Sequence, residues 1–144
     1  MLVKSILHGK GATVVTTRAS TTVGAAARLL HANRIGVVVV VDEVGHVAGI
    51  LSERDIVRGM AMFGEQVNNM PIGDLMSENV LTCGLDDSVE SLMAVMTERR
   101  VRHLPVLEEG RLLGIISIGD VVKNRLDEAT LVVDSLRDYV TGGR

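Results

Sequence analysis

Hydrophobic and polar positions along the chain follow two periods, and the switches between them mark out the elements. VVVVV at residues 37–41 and VAGILS at 47–52 are unbroken apolar runs separated by a polar, glycine-containing turn, which predicts two strands of a hairpin. Five consecutive valines cannot alternate, so both faces of that strand are expected to be covered. HLPVLE at 103–108 and LLGIIS at 112–117 repeat the arrangement around EEGR. Ahead of the second hairpin the period lengthens. Val89, Leu92, Met93 and Met96 recur at steps of three and four, predicting a helix. Asp87-Ser88-Val89-Glu90 has the outline of a capping box, with Asp87 receiving backbone N–H groups and Glu90 reaching back. Short strands are predicted at 14–17 and 80–83, and each hairpin runs into a further helix beginning at Glu53 or Gly119.

These elements are one unit written twice. Val14-Val15-Thr16 aligns with Val80-Leu81-Thr82, Arg34-Ile35 with Arg100-Val101, and Val40 with Val106, at a spacing of 66. One residue is lost in the turn, and Gly45, Gly49, Ser52 and Asp55 then match Gly110, Gly114, Ser117 and Asp120. Each copy reads strand, helix, strand, strand, helix, an α/β (α+β) fold, with a short lead-in before it at 3–7 and 72–76. Pro71 closes a Gly- and Asn-containing connection, so the expected units are 1–70, 71–127 and a helical extension over 128–144. From Val122 onward, Leu126, Ala129, Val133, Leu136 and Val140 recur at helical steps, which predicts one helix of about twenty residues with Gly142-Gly143 as a C-cap. The stripe must be buried, either on its own domain or in a coiled-coil-like contact with a second copy.

Composition narrows the function. Only 1% of the 144 residues are aromatic and the net charge is −3, which leaves little for stacking bases or holding a polyanion, so no nucleic-acid partner is expected. No apolar run is long enough to span a membrane and the N-terminus lacks a signal-peptide pattern, so a cytoplasmic protein is expected. Cys83 stands alone and reads as a small buried hydrophobe; Met60, Met62, Met93 and Met96 read as core filler.

The chemistry sits at the junctions. Ser52-x-x-Asp55 and Ser117-x-x-Asp120 stand at helix starts, where a serine accepts a backbone N–H and an acid suits the dipole, a cap worth roughly 1 kcal/mol. The repeated unit, with G-h-h-S-x-x-D at the last junction and HLPV in the preceding strand, resembles the CBS domain, and two in tandem look like a Bateman module. The resemblance covers residues 1 to about 127. It implies a pseudo-twofold pair with two clefts for adenosyl compounds, among them AMP, ADP, ATP, NAD and S-adenosylmethionine, and pairing into a flat homodimer.

On that resemblance Asp55 and Asp120, with Ser52 and Ser117, would hold ribose hydroxyls through charge-assisted bonds. Adenine would lie against Thr16, Ile35 and Val37 and against Thr82, Val101, His103 and Pro105. Phosphates would meet Arg54 beside a helix start in one cleft, and Arg100, Arg102 and His103 in the other. Arg99 reads equally well as a solvated helix end and His103 as a strand residue; if His103 titrates near neutrality, phosphate affinity would weaken as pH rises through that range. The expected function is a non-catalytic regulatory module that binds an adenine nucleotide (AMP, ATP with or without Mg, or NAD) and acts on a regulated protein not identified by the sequence. The alternative is a ligand-free dimerisation platform. No activated nucleophile or Cys/His pair points to an enzyme.

Overall fold

A computed structural model describes residues 1–11 and 13–141; the Gly142-Gly143 cap lies outside them. The elements are α1 (Val3–Lys10), β1 (Thr16–Thr17), α2 (Val23–Asn33), β2 (Val37–Val41), β3 (Val47–Ser52) and α3 (Glu53–Phe63), then α4 (Val89–Arg99), β4 (His103–Glu108), β5 (Arg111–Ser117) and α5 (Ile118–Thr141). Two 3-10 turns, Gly64–Asn69 and Ile72–Asp74, link the halves.

The first half carries a three-stranded sheet in the order β1-β2-β3, with β1 parallel and β3 antiparallel to β2. Val38, Val39 and Val40 are consecutive and all fully buried, so the strand is covered on both faces as the valine run requires. In the second half β4 and β5 pair from His103 opposite Ser117 to Glu108 opposite Arg111. The strand expected at 80–83 does not form. The chain turns at Val80, whose N–H bonds Glu78 O, and Leu81 and Thr82 are exposed, so only Cys83 joins the sheet, bridging in parallel to Val106.

Three local expectations are corrected. Ser88, not Asp87, caps α4 by accepting from Ser91 N at 3.1 Å, because the helix starts one residue later; Asp87 instead accepts from Gly84 N, and Glu90 pairs with Arg125 of α5 at 2.9 Å. The last helix starts at Ile118, a residue ahead of the expected Gly119, and runs to Thr141 as one helix, as the stripe from Val122 predicts. Met93 and Met96 pack in the core, but Met60 and Met62 lie on the solvent face of α3.

Two cores form, and the lead-ins are exchanged between them. Val3 and Leu7 of α1 enter the second core with Leu92, Met96, Leu104 and Ile116, whereas Ile72 and Leu75 enter the first with Val23, Leu30, Val38 and Leu51. Backbone bonds repeat the exchange: Val3 N to Asp87 O at 2.9 Å, and Ile72 N to Thr21 O at 2.8 Å. The strand glycines make room for it. A Cβ on Gly49 would sit 2.6 Å from Met76 Sδ, and one on Gly114 would sit 2.6 Å from Leu7 Cδ2. Each hairpin is thus clamped by the lead-in of the other repeat.

Candidate functional site

The two Ser-x-x-Asp junctions fold as matching capping boxes. Asp55 N donates to Ser52 Oγ at 3.1 Å, and Asp55 Oδ2 accepts from Ser52 N and Ser52 Oγ at 2.9 and 3.0 Å. Ser117 and Asp120 repeat this at 3.1, 2.8 and 3.0 Å. Each box satisfies backbone donors at a helix start and leaves the second carboxylate oxygen to decide what the site can do. Asp55 is buried and its Oδ1 faces Arg58 Nη1 at 3.2 Å. Asp120 Oδ1 has no hydrogen-bond partner among the described residues, while its Oδ2 also accepts from Lys10 Nζ at 2.6 Å.

Lys10 is the residue that sequence reasoning missed. It ends α1, donates to Ile115 O at 2.9 Å as well, and reaches Asp120 across 110 positions of sequence, a pairing no local pattern announces. Burial pushes the Asp120 carboxyl up, but the hydrogen bonds from Lys10 and from the Ser117 backbone outweigh it, and the carboxyl is held below the usual carboxylate range.

Two cavities lie at positions related by the repeat. The first, about 710 Å³, is lined by Leu30, His31, Arg34, Ile35, Gly36 and Glu53. The second, about 460 Å³, is lined by Met96, Thr97, Arg100, Val101, Arg102 and Ile118, with Arg54 added. In each, an arginine in the left-handed region, Arg34 or Arg100 with φ of 54°, ends the helix and swings the chain into the strand. The strand entry is then tied to the next helix start, Glu53 N to Gly36 O at 2.9 Å and Ile118 N to Arg102 O at 2.8 Å. Same backbone, different charge: Arg34 and Glu53 both line the first cavity, whereas three arginines and no carboxylate line the second.

That convergence corrects the expected division of cations. Arg54 does not serve a cleft separate from Arg100 and Arg102; it crosses from the first repeat to line the cavity of the second. Of the residues expected around adenine, Ile35 and Val101 line the cavities and Val37 is half-buried just inside the first strand entry. Thr16, in β1, and Thr82, outside any strand, are exposed and line neither cavity. Pro105 is buried in β4 opposite Ile115 with its carbonyl taken by Cys83 N, and it lines neither cavity. Arg99 is exposed and lines neither cavity.

His103 pairs with Ser117 across β4 and β5. Burial lowers its pKa; the Asp120 and Glu53 charges pull it up, Lys10 and Arg102 push it down, and the net shift is downward. The shift favours the neutral imidazole, which works against His103 as a cation for phosphate. Burial, with the nearby Asp87 charge, pushes the Cys83 thiol up to about 12, so it is not a nucleophile. No group of three His, Cys, Asp or Glu side chains that could hold a metal ion occurs among the described residues, and no described helix is long and apolar enough to cross a membrane.

Comparison with known proteins fits this geometry. The family model for the CBS domain matches twice, over residues 11–61 and 72–127. The mitochondrial CBS domain-containing protein CBSX3 of Arabidopsis thaliana is 33% identical over 126 residues, which are 85% of this chain but 61% of that longer protein. Among solved structures, the CBS-domain containing protein ATU1752 from Agrobacterium tumefaciens superposes with a TM-score of 0.85 at 46% identity, covering 87% of this chain and 99% of that one. The CBS domain pair of protein MJ0100, solved in complex with 5'-methylthioadenosine and S-adenosyl-L-methionine, gives 0.80 at 26% identity, covering 89% and 98%. Duplicated capping boxes, paired cavities and two family matches together place this chain in the CBS-domain family, as a tandem pair.

Proposed function

We propose that the chain is a non-catalytic regulatory module that binds an adenine nucleotide, AMP, ATP or NAD, with its phosphates at the cavity lined by Arg54, Arg100 and Arg102. The convergence of those arginines carries this reading. Three arginines from two repeats line the cavity with no carboxylate beside them, so an anion there meets only positive charge, and Arg54 stands in the first turn of α3, where free N–H groups also favour anions. The MJ0100 pair, which holds adenosyl compounds on the same architecture, supports the ligand class. The ribose hydroxyls have an open acceptor in Asp120 Oδ1; at Asp55 they must displace Arg58, whose side chain is 53% exposed and also donates to Leu75 O at 3.3 Å. Because the phosphate site draws on both repeats, a bound anion favours one relative setting of the halves, and that preference is the signal passed to a partner.

A thermal-shift panel of AMP, ADP, ATP, NAD and S-adenosylmethionine, with and without Mg, tests the reading. Ligand at 100 times its Kd stabilises by ~2.7 kcal/mol, a rise in Tm of roughly 8 °C for a chain of this size. Arg54→Ala with Arg102→Ala should abolish the response to ATP, and Asp55→Asn with Asp120→Asn the response to every adenosyl compound. A second reading, a ligand-free platform, is favoured by the capping role of both carboxylates and by Lys10 lying on Asp120. A flat panel would select it.

A further inference from the structure

The two Ser-x-x-Asp boxes share a backbone but not a cation. At Asp55 the charge comes from the same helix one turn on, and Arg58 Nη1 takes the oxygen outside the box, Oδ1, at 3.2 Å. Lys123 stands at the equivalent step from Asp120, yet it is exposed and pairs with no carboxylate among the described residues. The cation at Asp120 arrives from α1 instead and takes the box oxygen: Lys10 Nζ donates to Oδ2 at 2.6 Å. Ser117 N and Ser117 Oγ already donate to that oxygen, at 2.8 and 3.0 Å. An ionised carboxylate offers about two lone-pair sites on each oxygen, so Oδ2 is fully used and the remaining acceptor capacity lies on Oδ1. Two donors can be taken there, the number that a sugar diol presents.

We propose, on the reading that Asp120 accepts the ribose, that Lys10 is a positioning residue of the second-repeat cleft: it fixes Asp120 so that Oδ1 is held out to the sugar diol, and it makes the docking of α1 part of the binding site. The terminal torsion of an aspartate side chain is broad, and a third donor from a separate element narrows it. Lys10 is itself fixed. Its ammonium also donates to Ile115 O at 2.9 Å, which uses two of its three N–H groups, and it stands in the last turn of α1, where the helix dipole favours a cation. One turn earlier Leu7 packs where β5 has Gly114, whose missing Cβ would lie 2.6 Å from Leu7 Cδ2. Leu7 at Gly114 and Lys10 at Ile115 O therefore seat α1 on one stretch of β5, just ahead of the Ser117 box. A ligand that draws on Oδ1 favours the seated α1, and by reciprocity an unseated α1 loosens the ligand.

Isoleucine-methyl NMR titrations of the full chain with AMP and with 2',3'-dideoxy-AMP test this role. Ile118 lines the second cavity and Ile35 the first, so each cleft reports separately. In wild type the Ile118 signal should show AMP bound more tightly than the dideoxy compound. Lys10→Met and Lys10→Gln should each weaken AMP at Ile118 by roughly 10-fold, the loss of one charge-assisted bond, while dideoxy-AMP at Ile118 and the Ile35 titration stay unchanged. The Lys10 side chain is 34% exposed, so circular dichroism should show an intact fold. In an Asp120→Asn background the same Lys10 changes should have no further effect on AMP. An equal loss for both nucleotides, no loss for either, or a full Lys10 effect that persists in the Asp120→Asn background would overturn the positioning role and leave the ribose reading standing. Equal binding of the two nucleotides by wild type, or no response at Ile118, would instead remove Asp120 as the ribose acceptor and the role of Lys10 with it.

Discussion

Lys10 gives the sharpest test of how the Asp120 cleft is built. Lys10→Met keeps the length and packing of the side chain and removes the ammonium that bonds Asp120 Oδ2 at 2.6 Å and Ile115 O at 2.9 Å. A hydrogen bond to a charged group contributes about 1.5–3 kcal/mol when buried. With side-chain exposures of 34% and 21% the pair is partly screened, which brings the expected loss to about 1 kcal/mol at pH 7. The sign with pH follows from the depressed carboxyl. Asp120 is held below its unfolded pKa, so its stabilisation is complete above about pH 5 and disappears as pH falls through the folded value. The difference between wild type and Lys10→Met, read by urea unfolding across the acid range, should therefore shrink as Asp120 protonates, down to the part that the Ile115 O bond supplies. In the variant, NMR titration should find the Asp120 carboxyl moved up. A stability loss that stays constant from pH 7 down to pH 3 would refute the reasoning, because it would place the effect in packing and not in the ion pair.

Other consequences are equally direct. Leu7→Ala should cost ~2–5 kcal/mol, and hydrogen exchange should show the loss in α4, β4 and β5, far away in sequence, while β2 and β3 keep their protection. Gly49→Ala should destabilise more than Gly114→Ala, by ~1–3 kcal/mol in denaturant unfolding, because its new Cβ also meets backbone Ser77 O at 2.9 Å, whereas at Gly114 all three of the nearest atoms belong to the Leu7 side chain. Cys83 should resist thiol reagents in the native protein at pH 8 and react at once in urea, as expected of a buried thiol with a pKa of about 12. Arg102→Gly, which copies Gly36 of the first cavity, should lower affinity for ATP more than for adenosine in titration calorimetry.

What was legible in the sequence is what depends on neighbours in the chain. The Ser-x-x-Asp boxes close within three residues, the hairpins within four or five, and the valine run states its own burial, so each could be read where it stands. The 66-residue repeat then supplied the fold, because two copies with the same local grammar must build the same unit. The failures have the opposite character. Cys83 was expected to end a strand whose outer residues turn away, since a short apolar run does not say whether a sheet edge is there to receive it. Lys10 meets Asp120, and Arg54 shares a cavity with Arg100 and Arg102, only because the chain crosses between repeats. Pro105 shares the HLPV stretch with the strand entry, yet it sits two residues deeper in β4, where neither cavity reaches.

The exchange of lead-ins bears directly on function. If each repeat were self-contained, a ligand in one cavity could tighten that repeat and leave the other indifferent. Here α1 packs on the second core and carries Lys10 to Asp120, while the Ile72–Leu75 segment holds the first core and leads into the second repeat. Arg54, rooted in α3 of the first repeat, completes the cation cluster of the second. Anything that moves the strand entry at Val101–Arg102 must therefore pull on Arg54 and, through β3 and its clamp at Gly49, on the segment joining the halves. A binding event at the arginine cavity cannot remain local in such a topology. The coupling should be visible as protection gained in α3 on titrating ATP, and protection confined to β4 and β5 would show that the crossed connections do not transmit it.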